Sequence, residues 1–135
     1  MKGINVQKPF AHALVTGTKS VEIRTYPPKK IGCECFVDYC VTETIGRSSE
    51  AREIGTVRFE SEFEYTSISE FRKDEHRHLI PEGSRYDWDG LTKLYGWVVD
   101  DARAFVTPLK PPSKRGMIGS APTRRRATYT NINAD

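Results

Sequence analysis

The run "GTVRFESEFEYT", Gly55 to Thr66, limits the possible folds of this chain more than any other stretch. Val57, Phe59, Ser61, Phe63 and Tyr65 alternate with Arg58, Glu60, Glu62 and Glu64. A period of two cannot serve a helix; it demands a strand with one apolar and one charged face. Such a face needs a covering layer, so the chain must build a sheet with a buried side. At 135 residues, 37% hydrophobic and 29% charged, it has material for one domain with one core, and it is too charged for a membrane protein.

Shorter segments fall into place around this strand. Ile4 to Gln7 reads as a first strand. "KPFAHALVTG" reads as a short helix, with Pro9 at its first position, Phe10, Ala13 and Leu14 at helical spacing, and Gly17 as the left-handed terminator. Ser20 to Tyr26 alternates again, and Pro27 and Pro28 forbid its continuation. "CECFVDYCV", Cys33 to Val41, reads as a central strand covered on both faces. "IGRSSEAREIG" reads as a loop with one helical turn. A helix capped by Ser67 or Ser69 carries Ile68, Phe71 and Glu75 and ends before Pro81. Gly83 to Lys93 is a loop or short helix. "LYGWVVDDARAFVTP" reads as a hairpin turning at Asp100 and Asp101, and Met117 and Ile118 as a last short strand. The organisation expected is an α+β domain over 1–119 and a basic tail over 120–135. Its five to six mixed strands, with two or three short helices, curl into a small barrel.

Net charge is +3 with a pI near 8.8, which permits contact with nucleic acid without requiring it. Cys33, Cys35 and Cys40 lack a zinc spacing and read as small buried hydrophobes. No metal or cofactor is expected. With no apolar run of membrane-spanning length and no secretory signal, the expected location is cytoplasmic.

The chemistry concentrates in "GTKSVEIR", Gly17 to Arg24, where Lys19, Ser20, Glu22 and Arg24 fall together beside the apolar Val21 and Ile23. On an outer surface these are a solvated strand face; lining a cleft, they form a site. Glycine-x-lysine after a helix, then a strand ending in glutamate-x-arginine, with Tyr95 to Val99 as a closing strand, resembles the ASCH family of PUA-like β-barrels. The resemblance spans residues 3 to about 107, and it implies that the polar face of the strand looks into a cleft that meets RNA or a nucleobase. Some relatives hydrolyse N4-acetylcytidine and others are reported as ribonucleases. The amidohydrolases resemble this chain at Lys19 and Arg24, but place a threonine nucleophile where Glu22 stands and draw a glutamate from a later helix, where Glu75 is the nearest residue. Two functions therefore stand open. One is a module binding RNA or a nucleoside through Lys19, Ser20, Glu22, Arg24, Tyr26 and Trp88. The other is a small hydrolase acting on a modified cytidine or on RNA, with Lys19 and Glu22 as catalytic groups. Tyr86 stands near the same loops. His12 reads as a surface or half-buried residue; His76 and His78, two apart on a helix, do not make a metal pair, and either is open as an acid or base at the cleft mouth. Arg124 to Arg126 add non-specific phosphate contacts at most.

Overall fold

The computed structural model describes residues 1–28, 37–46, 50–111 and 129–130. Its elements in chain order are β1 (Lys2–Gln7), α1 (Phe10–Val15), β2 (Val21–Arg24), β3 (Val37–Thr44), β4 (Arg52–Glu64), α2 (Ile68–Lys73), α3 (Glu75–His78), β5 (Tyr95–Leu109) and β6 (Tyr129–Thr130). One mixed sheet runs β1-β3-β4-β5-β2, with β6 also on β5. β1 pairs parallel to β3, and the other pairings are antiparallel. The result is an α+β half-barrel with three short helices. β1 and β2 are the two ends of this strand path, yet α1 joins them directly in sequence. The sheet therefore curls until its ends face each other, and the Arg24 guanidinium reaches across to the Asn5 carbonyl at 2.7 Å.

Two apolar clusters hold this shape. The main one lies under α1, where Ala11, Leu14 and Val15 pack on Ile4, Val6, Tyr39, Val41, Val57, Phe59, Trp97 and Ala102. The second joins Tyr65, Phe71, Ile80 and Leu94, with Phe63 and Trp88 at its edge. The Ser67 hydroxyl caps α2 by accepting the Glu70 N–H. Gly17, at φ 81°, takes the left-handed turn after α1. Gly55 is needed for a different reason: a Cβ there would lie 2.2 Å from the Arg103 carbonyl on β5. Gly55→Ala is expected to destabilise the protein by about 1–3 kcal/mol, read from urea unfolding. An effect near zero would show that β4 and β5 separate easily at this point.

The long alternating strand is present, but three expectations need correction. Tyr95 to Leu109 is one strand, not a hairpin. Asp100 and Asp101 lack the glycine or asparagine that a two-residue turn needs for positive φ. The chain instead absorbs a register shift, so that Trp97 and Ala102, five positions apart, are both buried, and Asp101 lies opposite Arg58. β4 begins at Arg52, inside the stretch read as a loop, because Glu53 pairs with Thr42 and is buried. The helix before Pro81 breaks at Asp74 into α2 and α3. Cys40 is buried in β3 and its thiol donates to Glu53 at 3.2 Å. Cys33, Cys35, residues 47–49, Met117, Ile118 and Arg124 to Arg126 lie outside the described residues. Among those described, no helix is long and apolar enough to cross a membrane.

Candidate functional site: a charged pocket at the barrel seam

The seam between β1 and β2 is a pocket of about 200 Å³. Its polar wall is Asn5, Gln7, Lys19, Glu22 and Arg24, and its apolar wall is Val6, Phe10, Ile23, Ile80 and Tyr86. The Phe10 and Tyr86 rings meet edge to face, with centroids 5.4 Å apart.

Lys19 is the unusual residue. Although it is 1% exposed, its chain position is fixed by backbone hydrogen bonding, the Lys19 N–H donating to the Ala13 carbonyl at 2.9 Å in the turn after α1. Its ammonium donates to the His78 carbonyl, stands 3.8 Å from Glu22 Oε1 and lies 4.9 Å from the Phe10 centroid. Burial lowers its pKa from 10.5 to about 8; Glu22 opposes that shift and Arg24 adds to it. Glu22, 5% exposed, accepts a hydrogen bond from Arg24 Nε at 2.9 Å through Oε2, and the same oxygen lies 2.7 Å from a terminal nitrogen of Arg24 as an ion pair. Oε1 is the oxygen not held by the guanidinium.

The carbonyl that holds Lys19 is itself braced. Ile80 N–H donates to His78 Nδ1 at 2.9 Å, so Nε2 carries the proton and donates to the Phe71 carbonyl at 2.6 Å. The imidazole stacks on Phe71 with centroids 4.1 Å apart, and burial lowers its pKa, favouring the neutral form. Before it, Asp74 accepts from the Tyr65 hydroxyl at 2.6 Å and from Arg77 at 2.6 and 2.8 Å. Burial raises the Asp74 pKa, but the hydrogen bonds from Arg77 and Tyr65 outweigh it and the carboxyl ends below its ordinary value. α3 is thus tied to Tyr65, the residue after β4, and its last carbonyl is aimed at the site.

The six residues expected at the cleft do not all reach it. Lys19, Glu22 and Arg24 line the pocket. Ser20 does not, because strand alternation holds only from Val21, and Lys19 reaches the pocket from the preceding turn; the Ser20 backbone bonds Arg77 and Val99 instead. Tyr26 lies past the end of β2, 52% exposed, with its ring against Trp97. Trp88 packs at the edge of the second cluster and donates to the Thr92 carbonyl at 3.0 Å; its near neighbour Tyr86 lines the pocket. Glu75 is exposed at the start of α3, and His12 and His76 are also exposed. Asn5, Gln7, Phe10 and Ile80 complete the lining and were not among the expected site residues. The i, i+2 spacing of Asn5 and Gln7 on β1 was the available signal. Among the described residues, no cluster of three or more His, Cys, Asp or Glu is arranged to hold a metal ion.

The crystal structure of ASCH from Zymomonas mobilis matches this fold with a TM-score of 0.61, over 78% of this chain and 70% of that one, at 20% identity. The fold is that of an ASCH domain. Two single-substitution variants of the Zymomonas protein match the ASCH fold of this chain with TM-scores of 0.62 and 0.59, also at 20% identity and 78% coverage, spanning 70% and 72% of those chains. No protein-family model and no curated protein matches the sequence.

Proposed function

We propose that the seam pocket binds a nucleobase, presented by RNA or by a nucleoside. The observation that carries this reading is the pairing of the buried Lys19 and Glu22 and the half-buried Arg24 with the Phe10–Tyr86 wall in a space of about 200 Å³. That volume lies below the range of drug-sized clefts and suits one planar ring. Aromatic walls offer stacking, Glu22 accepts base N–H groups, and Lys19 and Arg24 donate to base carbonyl or ring nitrogen. Binding of single-stranded RNA should weaken with salt along a shallow slope, since few phosphates are neutralised. Lys19→Ala and Arg24→Ala are each expected to reduce affinity about tenfold or more, as loss of a charged hydrogen bond does, and Arg125→Ala far less. The measurement is fluorescence anisotropy with labelled RNA. If Arg125→Ala alone weakens binding, the pocket is not the binding site.

One observation favours the hydrolase alternative: a lysine with pKa about 8 beside a buried carboxylate suits acid–base chemistry near neutral pH. In that reading Glu22 takes a proton from water attacking the acyl carbon, Lys19 stabilises the oxyanion, and the proton passes from Glu22 to the leaving nitrogen as the carbon–nitrogen bond breaks, releasing the amine and the carboxylic acid. The threonine nucleophile is absent, so no acyl-enzyme forms. Glu22→Gln should then end turnover of acylated cytidine, and a covalent adduct detected by mass would contradict the water route.

A further inference from the structure

We propose that the ligand of this pocket is a nucleotide with a terminal phosphate, and that Arg85 at the rim holds the phosphate. The proposal rests on the nucleobase reading above and adds the ligand's charge and the residue that reads it.

The first observation is the charge of the site. Lys19 and Arg24 face a single carboxylate, Glu22, inside the pocket. Both cations already touch that carboxylate, so the set carries one positive charge in excess, with Lys19 and Glu22 almost wholly buried. The neutral amides Asn5 and Gln7 and the rings of Phe10 and Tyr86 supply no second anion. His78, the other titratable group against Lys19, is held with Nδ1 as acceptor and adds none either.

The second observation is independent. Arg85 precedes the pocket residue Tyr86, and its guanidinium carbon lies 5.4 Å from the Tyr86 centroid. It is exposed. Arg58, Arg72, Arg77 and Arg103 each hold a carboxylate. Among the described residues, Arg85 has no carboxylate within salt-bridge distance. A guanidinium over a ring at this distance makes a cation–π contact that does not use its N–H groups, which suit phosphate oxygens.

Size and charge then agree. A pocket of about 200 Å³ that takes a base leaves a phosphate outside, at the rim. The pocket's Lys19 and Arg24 with Arg85 beside Tyr86 make three cations against Glu22, while Glu82 and Asp87 of the Arg85 loop are held by Arg72. A phosphomonoester carries about −1.5 to −2 at neutral pH, whereas an internal phosphodiester carries a single negative charge. The match is to a terminal phosphate, on a free mononucleotide or at the end of a strand.

The test is calorimetric titration with the four ribonucleosides, their 5′- and 3′-monophosphates, inorganic phosphate, and a short RNA with or without a terminal phosphate. At least one monophosphate is expected to bind about tenfold or more tightly than its nucleoside, as a charge-assisted contact provides. Arg85→Ala should erase that advantage, and Arg85→Lys should keep part of it. A phosphorylated RNA end binding better than the mononucleotide identifies a strand terminus as the source; equal affinity identifies the free nucleotide. Nucleosides and monophosphates binding equally would overturn the phosphate proposal and leave the base pocket standing. An advantage that persists in Arg85→Ala would overturn the assignment of Arg85. Inorganic phosphate binding as tightly as the monophosphates, or no binding by any probe, would overturn both readings.

Discussion

Lys19→Met is expected to make the folded protein more stable while removing ligand binding. The lowered pKa of Lys19 means that its charged form is disfavoured in the fold by about 3 kcal/mol. Methionine fills a similar space without charge, and Glu22 keeps its hydrogen bond and ion pair with Arg24. Against this, the His78 carbonyl loses its lysine donor, at a cost of about 1–2 kcal/mol. The net expectation is a gain of about 1–2 kcal/mol. The pH dependence separates this cause from simple repacking. Above pH 8 folded Lys19 deprotonates, while the unfolded chain holds its proton to 10.5, so the unfolded state binds more protons and wild-type stability rises with pH across that window. The advantage of Lys19→Met is therefore full below pH 8 and shrinks toward pH 10.5. Urea titrations of both proteins at pH 7 and pH 9.5 measure it. A destabilised Lys19→Met protein would show that the lysine belongs to the scaffold, not to a site.

The largest loss of stability is expected from Phe71→Ala, about 3–5 kcal/mol. Phe71 is fully buried, stacks on His78, meets Tyr65 edge-on at 5.3 Å and lies 6.1 Å from Trp88. Removing the ring opens a cavity at the centre of the second cluster. It also strips the stacking ring from the imidazole of His78, whose carbonyl holds Lys19, so ligand affinity should fall with stability. Phe71→Leu, which keeps most of the volume, should cost clearly less in both respects. Chemical unfolding supplies the first quantity and titration the second. A cost below about 1 kcal/mol would mean that the cluster is not a cooperative part of the core.

Those two residues also mark how far the sequence can be read. The charged set Lys19, Glu22 and Arg24 is legible because its members are neighbours in the chain and the alternation around them has a simple period. Phe71 reads as an apolar helix position, but nothing local shows that it braces a histidine whose carbonyl faces Lys19. The seam itself is not legible. It exists because α1 carries the chain from one end of the sheet order to the other, bringing Asn5 and Gln7 opposite β2, while the loop after α3 adds Ile80 and Tyr86. The same limit explains Ser20 and Lys19: strand parity points to Ser20, and only the turn after α1 decides that Lys19 enters instead. In β5, the Asp100–Asp101 pair imitates a turn, because the register shift that keeps the strand continuous depends on its partner β4.

The central claim, that the seam between β1 and β2 is where a base binds, is tested most directly by a crystal structure of the protein soaked with a ribonucleoside monophosphate. The polar cleft around Asp38, Arg58, Asp101 and Arg103 serves as an internal control, since it is about 530 Å³, larger than the seam pocket and also charged. The account predicts a base against Phe10 and Tyr86 with its polar edge on Glu22, Lys19 or Arg24. A ligand ordered in the Arg58 cleft, with none in the seam, would contradict it.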